Sequence, residues 1–131
     1  MAALTAEQIL AAPDLKRERV RVPEWGGEVY VRTVTAGDKE TFEADILAET
    51  EGDPQKRRRF IRAGWVVLTT CDAEGRPLFA ADDREALNSK GASAIDRIVN
   101  VAFRLNGVTG KDEDDLVKNS EPSPSDDSDI T

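Results

Sequence analysis

The sequence predicts an α+β fold: an N-terminal β-hairpin packed on a small bundle of about four to five α-helices, with a disordered acidic C-terminal tail. Three observations carry that expectation. Two stretches alternate charged and apolar residues on either side of a glycine-rich turn, which is the pattern of a half-buried hairpin. Later segments repeat apolar residues at helical spacing, most regularly from Ile95 to Leu105. Beyond Gly110 the composition turns acidic, and from Asn119 it is mostly Ser, Pro, Asp and Glu. That composition buries too little apolar surface to offset chain entropy.

Taken in order, Thr5-Ala-Glu-Gln8 has the form of a capping box. A short helix is expected from Ala6 to Ala11, ended by Pro13 and Asp14. The hairpin comprises Arg19-Val-Arg-Val22, the turn Pro23-Glu-Trp-Gly-Gly27, and Glu28-Val-Tyr-Val-Arg-Thr33. Val20, Val22, Val29 and Val31 can share one face, and an isolated hairpin is marginal, so a helix should cover it. Thr35 then caps a helix from Ala36 to Ala48, with Phe42, Ile46 and Leu47 as its apolar stripe. Glu51-Gly-Asp-Pro54 breaks it, and Pro54 suits the first turn of the next helix. Phe60, Ile61, Gly64, Trp65 and Leu68 form that helix's stripe, and its β-branched end through Thr70 would fray or extend. Asp72 to Pro77 reads as a turn. Asp82-Asp-Arg-Glu85 is a second capping-box form before a short helix through Leu87. The last helix carries Ile95, Ile98, Val99, Ala102 and Leu105 on one side, with Phe103 adjoining, and stops at Asn106-Gly107. These elements define one folded domain over residues 1–110 and an acidic flexible tail over 111–131, in which Asp112 to Lys118 has the makings of a helical turn or two.

The charge is unevenly placed. The chain of 131 residues carries 18 bases and 26 acids, a net of −8. From Lys111 on there are two bases and eight acids, so the first 110 residues carry 16 bases and 18 acids and are nearly balanced. An acidic chain argues against non-specific nucleic-acid binding, which needs an excess of Lys and Arg. The N-terminus has no basic region followed by an apolar run, and no segment approaches the length of a spanning helix. A soluble cytoplasmic protein is expected.

No catalytic constellation is visible. The absence of histidine removes the usual Ser-His and Cys-His arrangements and His-based metal sites. Cys71 is the single cysteine; it follows an apolar stretch and reads as a buried structural thiol. Gly26-Gly27 lacks the Lys-Ser/Thr of a phosphate loop, and Asp112-Glu-Asp-Asp115 lacks calcium-loop spacing. A non-enzymatic protein without catalytic, metal-binding or cofactor-binding residues is expected. The candidate partner-binding residues are Trp25, Lys56, Arg57, Arg58, Arg59 and Arg62. For the basic cluster three readings stay open: a solvated helix face, a nucleic-acid contact, and attraction to the chain's own acidic tail or an acidic partner. For Trp25 two stay open: an indole folded back over a helix, or an exposed interface anchor.

Several of these stretches in sequence resemble a known family. Val22-Pro-Glu-Trp-Gly-Gly27, Val29-Tyr-Val-Arg-Thr33, Phe42-Glu43, Asp72-Ala-Glu-Gly-Arg-Pro-Leu-Phe79, the Ser-Lys-Gly-Ala-Ser-Ala stretch ending at Ala94, Arg104-Leu-Asn-Gly107 and Leu116-Val-Lys-Asn-Ser120 occur in the order and spacing seen in tail assembly chaperones of long-tailed bacteriophages and prophages. The resemblance spans nearly the whole chain. It implies a protein of the host bacterial cytoplasm that coats the tape measure protein, keeps it soluble while the tail tube assembles, and is missing from the finished virion. It also implies a longer form, made by ribosomal frameshifting, that recruits tail tube protein. Homo-oligomerisation stays open, and no catalytic residue is carried over. Two other readings compete: a structural tail completion or connector protein, and a nucleic-acid-associated regulator using Lys56 to Arg62.

Overall fold

Helix α3 (Pro54–Thr69) is the element around which the rest assembles, and its sequence shows why. Asp53 caps it, its Oδ1 accepting the Lys56 backbone N–H at 3.0 Å, and Pro54 occupies the first turn. Ile61, Ala63, Gly64, Trp65 and Val66 are all buried, so the middle of the helix is enclosed on most of its circumference. The computed structural model describes residues 2–118. The stretch from Asn119 to Thr131, which holds most of the expected acidic tail, lies outside the described residues.

Two antiparallel strands, β1 (Arg17–Val22) and β2 (Gly27–Arg32), form the hairpin, with Val20 opposite Val29 and Arg19 opposite Tyr30. The turn is a single 3-10 turn over Pro23–Trp25, closed by Gly26 at φ 74°, a left-handed conformation that glycine adopts without steric cost. Val20, Val22 and Val31 are buried on one face, as the alternation predicts. Arg17, Arg19 and Arg21 alternate with them and stand exposed. Helix α5 (Ala92–Asn106), with α3, covers this face, and α2 (Ala36–Glu49) packs on α3. Trp65 anchors the core, with Phe42 and Phe103 edge-on to it at ring-centroid distances of 5.5 and 5.6 Å. Gly64 explains itself here: a Cβ at that position would lie 2.4 Å from Phe42 Cε1. Asn106 ties the hairpin exit to the end of α5. Its Oδ1 accepts the Val34 N–H at 2.9 Å, and its Nδ2 donates to Arg32 O at 3.3 Å and Ala102 O at 2.9 Å.

The remaining elements are α1 (Ala6–Ala11), α4 (Arg84–Asn88) and α6 (Gly110–Lys118), with a short strand β3 (Thr70–Cys71). The structure differs from the sequence expectation in two places. The β-branched end from Trp65, expected to fray or extend, stays helical to Thr69 and then passes into β3, which adds to β2 (Tyr30 opposite Cys71, Val31 opposite Thr70) and makes a three-stranded antiparallel sheet in the order β1-β2-β3. The Asp72–Pro77 turn folds the chain back, bridging Cys71 to Pro77, and Arg32 Nε and Nη2 donate to Leu68 O at 3.2 Å to close the end of α3. Residues 111–118, assigned above to the tail, are helical and docked: Glu113 and Val117 of α6 are buried against the body. The folded body therefore runs past Gly110. The physical reason is charge complementarity, since α6 meets the arginines of α3.

Candidate partner-binding surfaces

The basic cluster sits in the first turns of α3, where successive side chains step about 100° around the axis. Four adjacent cations therefore meet four environments. Arg57 is buried, at 1% exposure. Its Nε donates to Thr50 Oγ1 at 2.9 Å, its Nη2 to Thr50 O at 3.0 Å and its Nη1 to Val117 O at 2.8 Å. Its charge thus lies against backbone carbonyls at the C-terminal ends of α2 and α6, the negative ends of two helix dipoles. This places Arg57 inside the protein, away from the candidate surface to which the sequence assigns it. Arg58 is exposed and pairs with Asp114 at 3.5 Å. Arg62 bridges Asp96 at 2.7 Å and Glu113 at 3.2 Å. Lys56 lies over the Phe60 ring, 5.2 Å from its centroid, with Arg84 also against that ring at 4.8 Å. Arg59 is exposed and makes no ion pair among the described residues.

Of the three readings for this cluster, pairing with the chain's own acids describes Arg58 and Arg62, through Asp114 and Glu113 of α6. That leaves less free positive charge for a phosphate backbone than four adjacent bases suggest. Beside the cluster runs an open groove of about 600 Å³ between the start of α3, the α4–α5 link and the end of α6. Leu87, Ile95 and Val117 line it together with Arg58, Arg59 and Lys90.

Trp25 is half-buried. It packs against the edge of the core and faces α4 across a shallow cleft that Phe79 and Leu87 also line, so the indole folds back toward a helix. The adjoining Glu24 holds the hairpin turn to α5, accepting from Arg97 and, at 3.0 Å, from Ser93 Oγ. The Arg97 guanidinium lowers the Glu24 carboxyl from 4.5 to about 2.

Sequence reasoning missed the N-terminal arm as a surface. The capping box at Thr5 forms: Thr5 Oγ1 accepts Gln8 N–H at 3.2 Å and Gln8 Oε1 accepts Thr5 N–H at 2.9 Å. Helix α1 has no buried residue, however. Leu4, Ile9, Leu10 and Leu15 are 68%, 57%, 86% and 58% exposed. They are the main large apolar side chains left in water on the described residues, with Leu78. The signal was present in the order of residues: Pro13-Asp14-Leu15-Lys16 separates α1 from the first strand and gives it no partner segment nearby.

Cys71 is buried in β3, and burial pushes its thiol pKa up, which suits a structural side chain. Among the described residues no group of three His, Cys, Asp or Glu is placed to hold a metal, and no helix is long and apolar enough to cross a membrane.

The family model described as phage tail assembly chaperone matches residues 7–119. Among solved structures, the tail assembly chaperone of bacteriophage HK97 is similar to this chain, with a TM-score of 0.55 and 20% identity, covering 76% of this chain and 94% of that one. At that identity the likeness concerns the fold. Among curated proteins none matches.

Proposed function

The chain belongs to the phage tail assembly chaperone family, and we propose that it binds the tape measure protein and keeps that client soluble while the tail tube assembles. The observation that supports this is the N-terminal arm, in which the capped helix α1 carries Ile9 and Leu10 and its flanks carry Leu4 and Leu15, all four exposed. Large apolar side chains left exposed in one segment mark it as a candidate interaction site. An amphipathic helical client would lay its apolar stripe along such an arm. Each Leu or Ile buried contributes about 1.5–3 kcal/mol, so one arm binds weakly once association and ordering costs are subtracted. Many copies along one long client would bind by avidity and release as the tube replaces them. Such a role needs binding alone and takes place in the host cytoplasm. A longer form that recruits tail tube protein belongs to the same reading, as does absence from the finished particle.

The test is co-expression with the tape measure protein. The client should partition to the soluble fraction with the wild-type chain and to the pellet without it. The doubly substituted Ile9→Asp, Leu10→Asp chain should fold normally, because neither side chain is buried, and should fail to solubilise the client. A client equally soluble with and without the chain would overturn the proposal.

A further inference from the structure

We propose that the groove beside α3 takes an acidic amphipathic helix of a partner protein, as a second binding surface separate from the N-terminal arm. Two properties of its lining support this. The floor is apolar, where Ala63, Leu87, Ile95 and Val117 come together from α3, α4, α5 and α6. The rim is basic, with Arg58, Arg59, Arg62 and Lys90 against one acid, Asp96. Asp96 is already held by Arg62 at 2.7 Å, and Arg62 and Arg58 also pair with Glu113 and Asp114 of α6. Arg59 and Lys90 are exposed and make no ion pair among the described residues. An apolar floor between cations fits a helix whose apolar stripe is flanked by carboxylates.

The sign of this groove is opposite to that of the chain, which carries a net charge of −8. At long range the protein attracts basic segments and repels acidic ones. An acidic helix that binds must therefore draw its attraction locally, and screening over about 8 Å at physiological salt lets a local rim prevail. A basic helix of equal hydrophobicity would meet like charges here. Leu87 and Lys90 also line the shallow cleft that holds Trp25 and Phe79, so the apolar floor leads on toward two aromatic rings. An aromatic pocket of this kind suits an anchoring side chain of the partner. The two acids of that cleft do not offset Lys90. Glu24 is held by Arg97 and Ser93, and Asp83 Oδ2 accepts the Ala80 N–H at 2.8 Å.

Two labelled helical peptides of about 18 residues test this against the full-length chain by fluorescence anisotropy at 50 mM NaCl. They share one leucine stripe; the remaining positions are glutamate in one and lysine in the other. The glutamate peptide should bind at least about tenfold tighter, the reverse of the order that net charge alone dictates. Arg59→Glu combined with Lys90→Glu, both exposed positions, should weaken it at least about fivefold and leave the fold intact. The Ile9→Asp, Leu10→Asp chain should bind it as wild type does, which separates this surface from the arm. Zero-length carbodiimide coupling should then join Lys90 to the glutamate peptide, with the Lys111–Asp115 pair, 3.6 Å apart, as internal control. Equal binding of the two peptides, or a preference for lysine, would sink the proposal. So would unchanged affinity in the charge-reversed chain. Links from Lys90 only to acids of its own chain, or to Glu7 or Asp14 of a second copy in mixtures of light and heavy chain, would give the groove a different occupant and overturn it as well.

Discussion

Replacing Arg57 by Met should destabilise the protein by about 3 kcal/mol, because the guanidinium closes two helix ends at once. Three hydrogen bonds are lost, to Thr50 Oγ1, Thr50 O and Val117 O. Hydrogen bonds from a charged donor contribute about 1.5–3 kcal/mol each, so the gross loss is roughly 5–9 kcal/mol. Against it stands the cost of holding a charge in a site of 1% exposure, several kcal/mol, which Met does not incur. Met is also close in length and fills most of the space, which keeps the cavity contribution small. The net figure of about 3 kcal/mol converts to a drop in Tm of roughly 12 °C, taking about 2.1 cal/mol/K per residue over a body of about 115 residues. Arg57→Lys keeps the charge and loses the fork, and should fall about midway. Urea unfolding at pH 7 measures both. Hydrogen exchange adds a local readout: the amides of α6 should open first in Arg57→Met, since Val117 O is the tie at the C-terminal end of α6 that this variant removes. An Arg57→Met protein within about 0.5 kcal/mol of wild type, with α6 amides unchanged, would show that the buried charge contributes nothing net and that the reasoning is wrong.

Two further outcomes follow from close contacts and from charge. Gly64→Ala would gain about 1 kcal/mol of helix propensity but puts its methyl 2.4 Å from Phe42 Cε1, so a net loss of about 1–2 kcal/mol is expected in urea unfolding; a more stable variant would mean that the Phe42 ring gives way freely. Glu24 has its pKa lowered from 4.5 to about 2 in the folded protein. It therefore contributes stability that is fully present above the unfolded pKa and is lost as pH falls from about 4.5 toward 2. Glu24→Gln should accordingly be less stable than wild type at pH 6, with the gap closing through that window; a gap that stays constant down to pH 2.5 would assign the effect to something other than the Arg97 contact.

Local signals made most of the fold legible. The capping box at Thr5, the alternating valines of the hairpin and the stripe from Ile95 to Leu105 are each written within a few residues and form as their residues ask. The second capping box, expected over Asp82 to Glu85, does not form: Asp83 Oδ2 turns back to accept the Ala80 N–H at 2.8 Å, and α4 starts without a side-chain cap. β3 was not legible because its pairing is non-local: Thr70 and Cys71 continue a β-branched run without a period of its own, and only β2, some forty residues earlier, makes them a strand. The docking of α6 was hidden for a similar reason. Its acids read as solvated, and the partner that buries Glu113 is an arginine on another helix. Of the tail assigned to residues 111–131, the part from Asn119 on lies outside the described residues. At the candidate surface, the run Lys56 to Arg59 gives four equivalent charges on paper. Helical spacing does single one out, for Arg57 stands four residues before Ile61 and eight before Trp65, on the stripe that faces the core. For the exposed arm the one signal was the link Pro13-Asp14-Leu15-Lys16 that sets α1 apart, because a short helix by itself looks alike in sequence whether the body covers it or leaves it bare.

The open edge of β1 has a consequence for the protein's behaviour when copies crowd together. In the order β1-β2-β3 this strand is at the margin of the sheet, where unsatisfied backbone groups can template a strand from another molecule. Its sequence sets the terms of any such encounter. Arg17, Arg19 and Arg21 alternate along it, so two copies meeting edge to edge would bring like charges opposite one another, which is unfavourable across a strand pair. The margin thus discriminates by sign: it disfavours its own kind, and a strand bearing carboxylates would be the one it attracts.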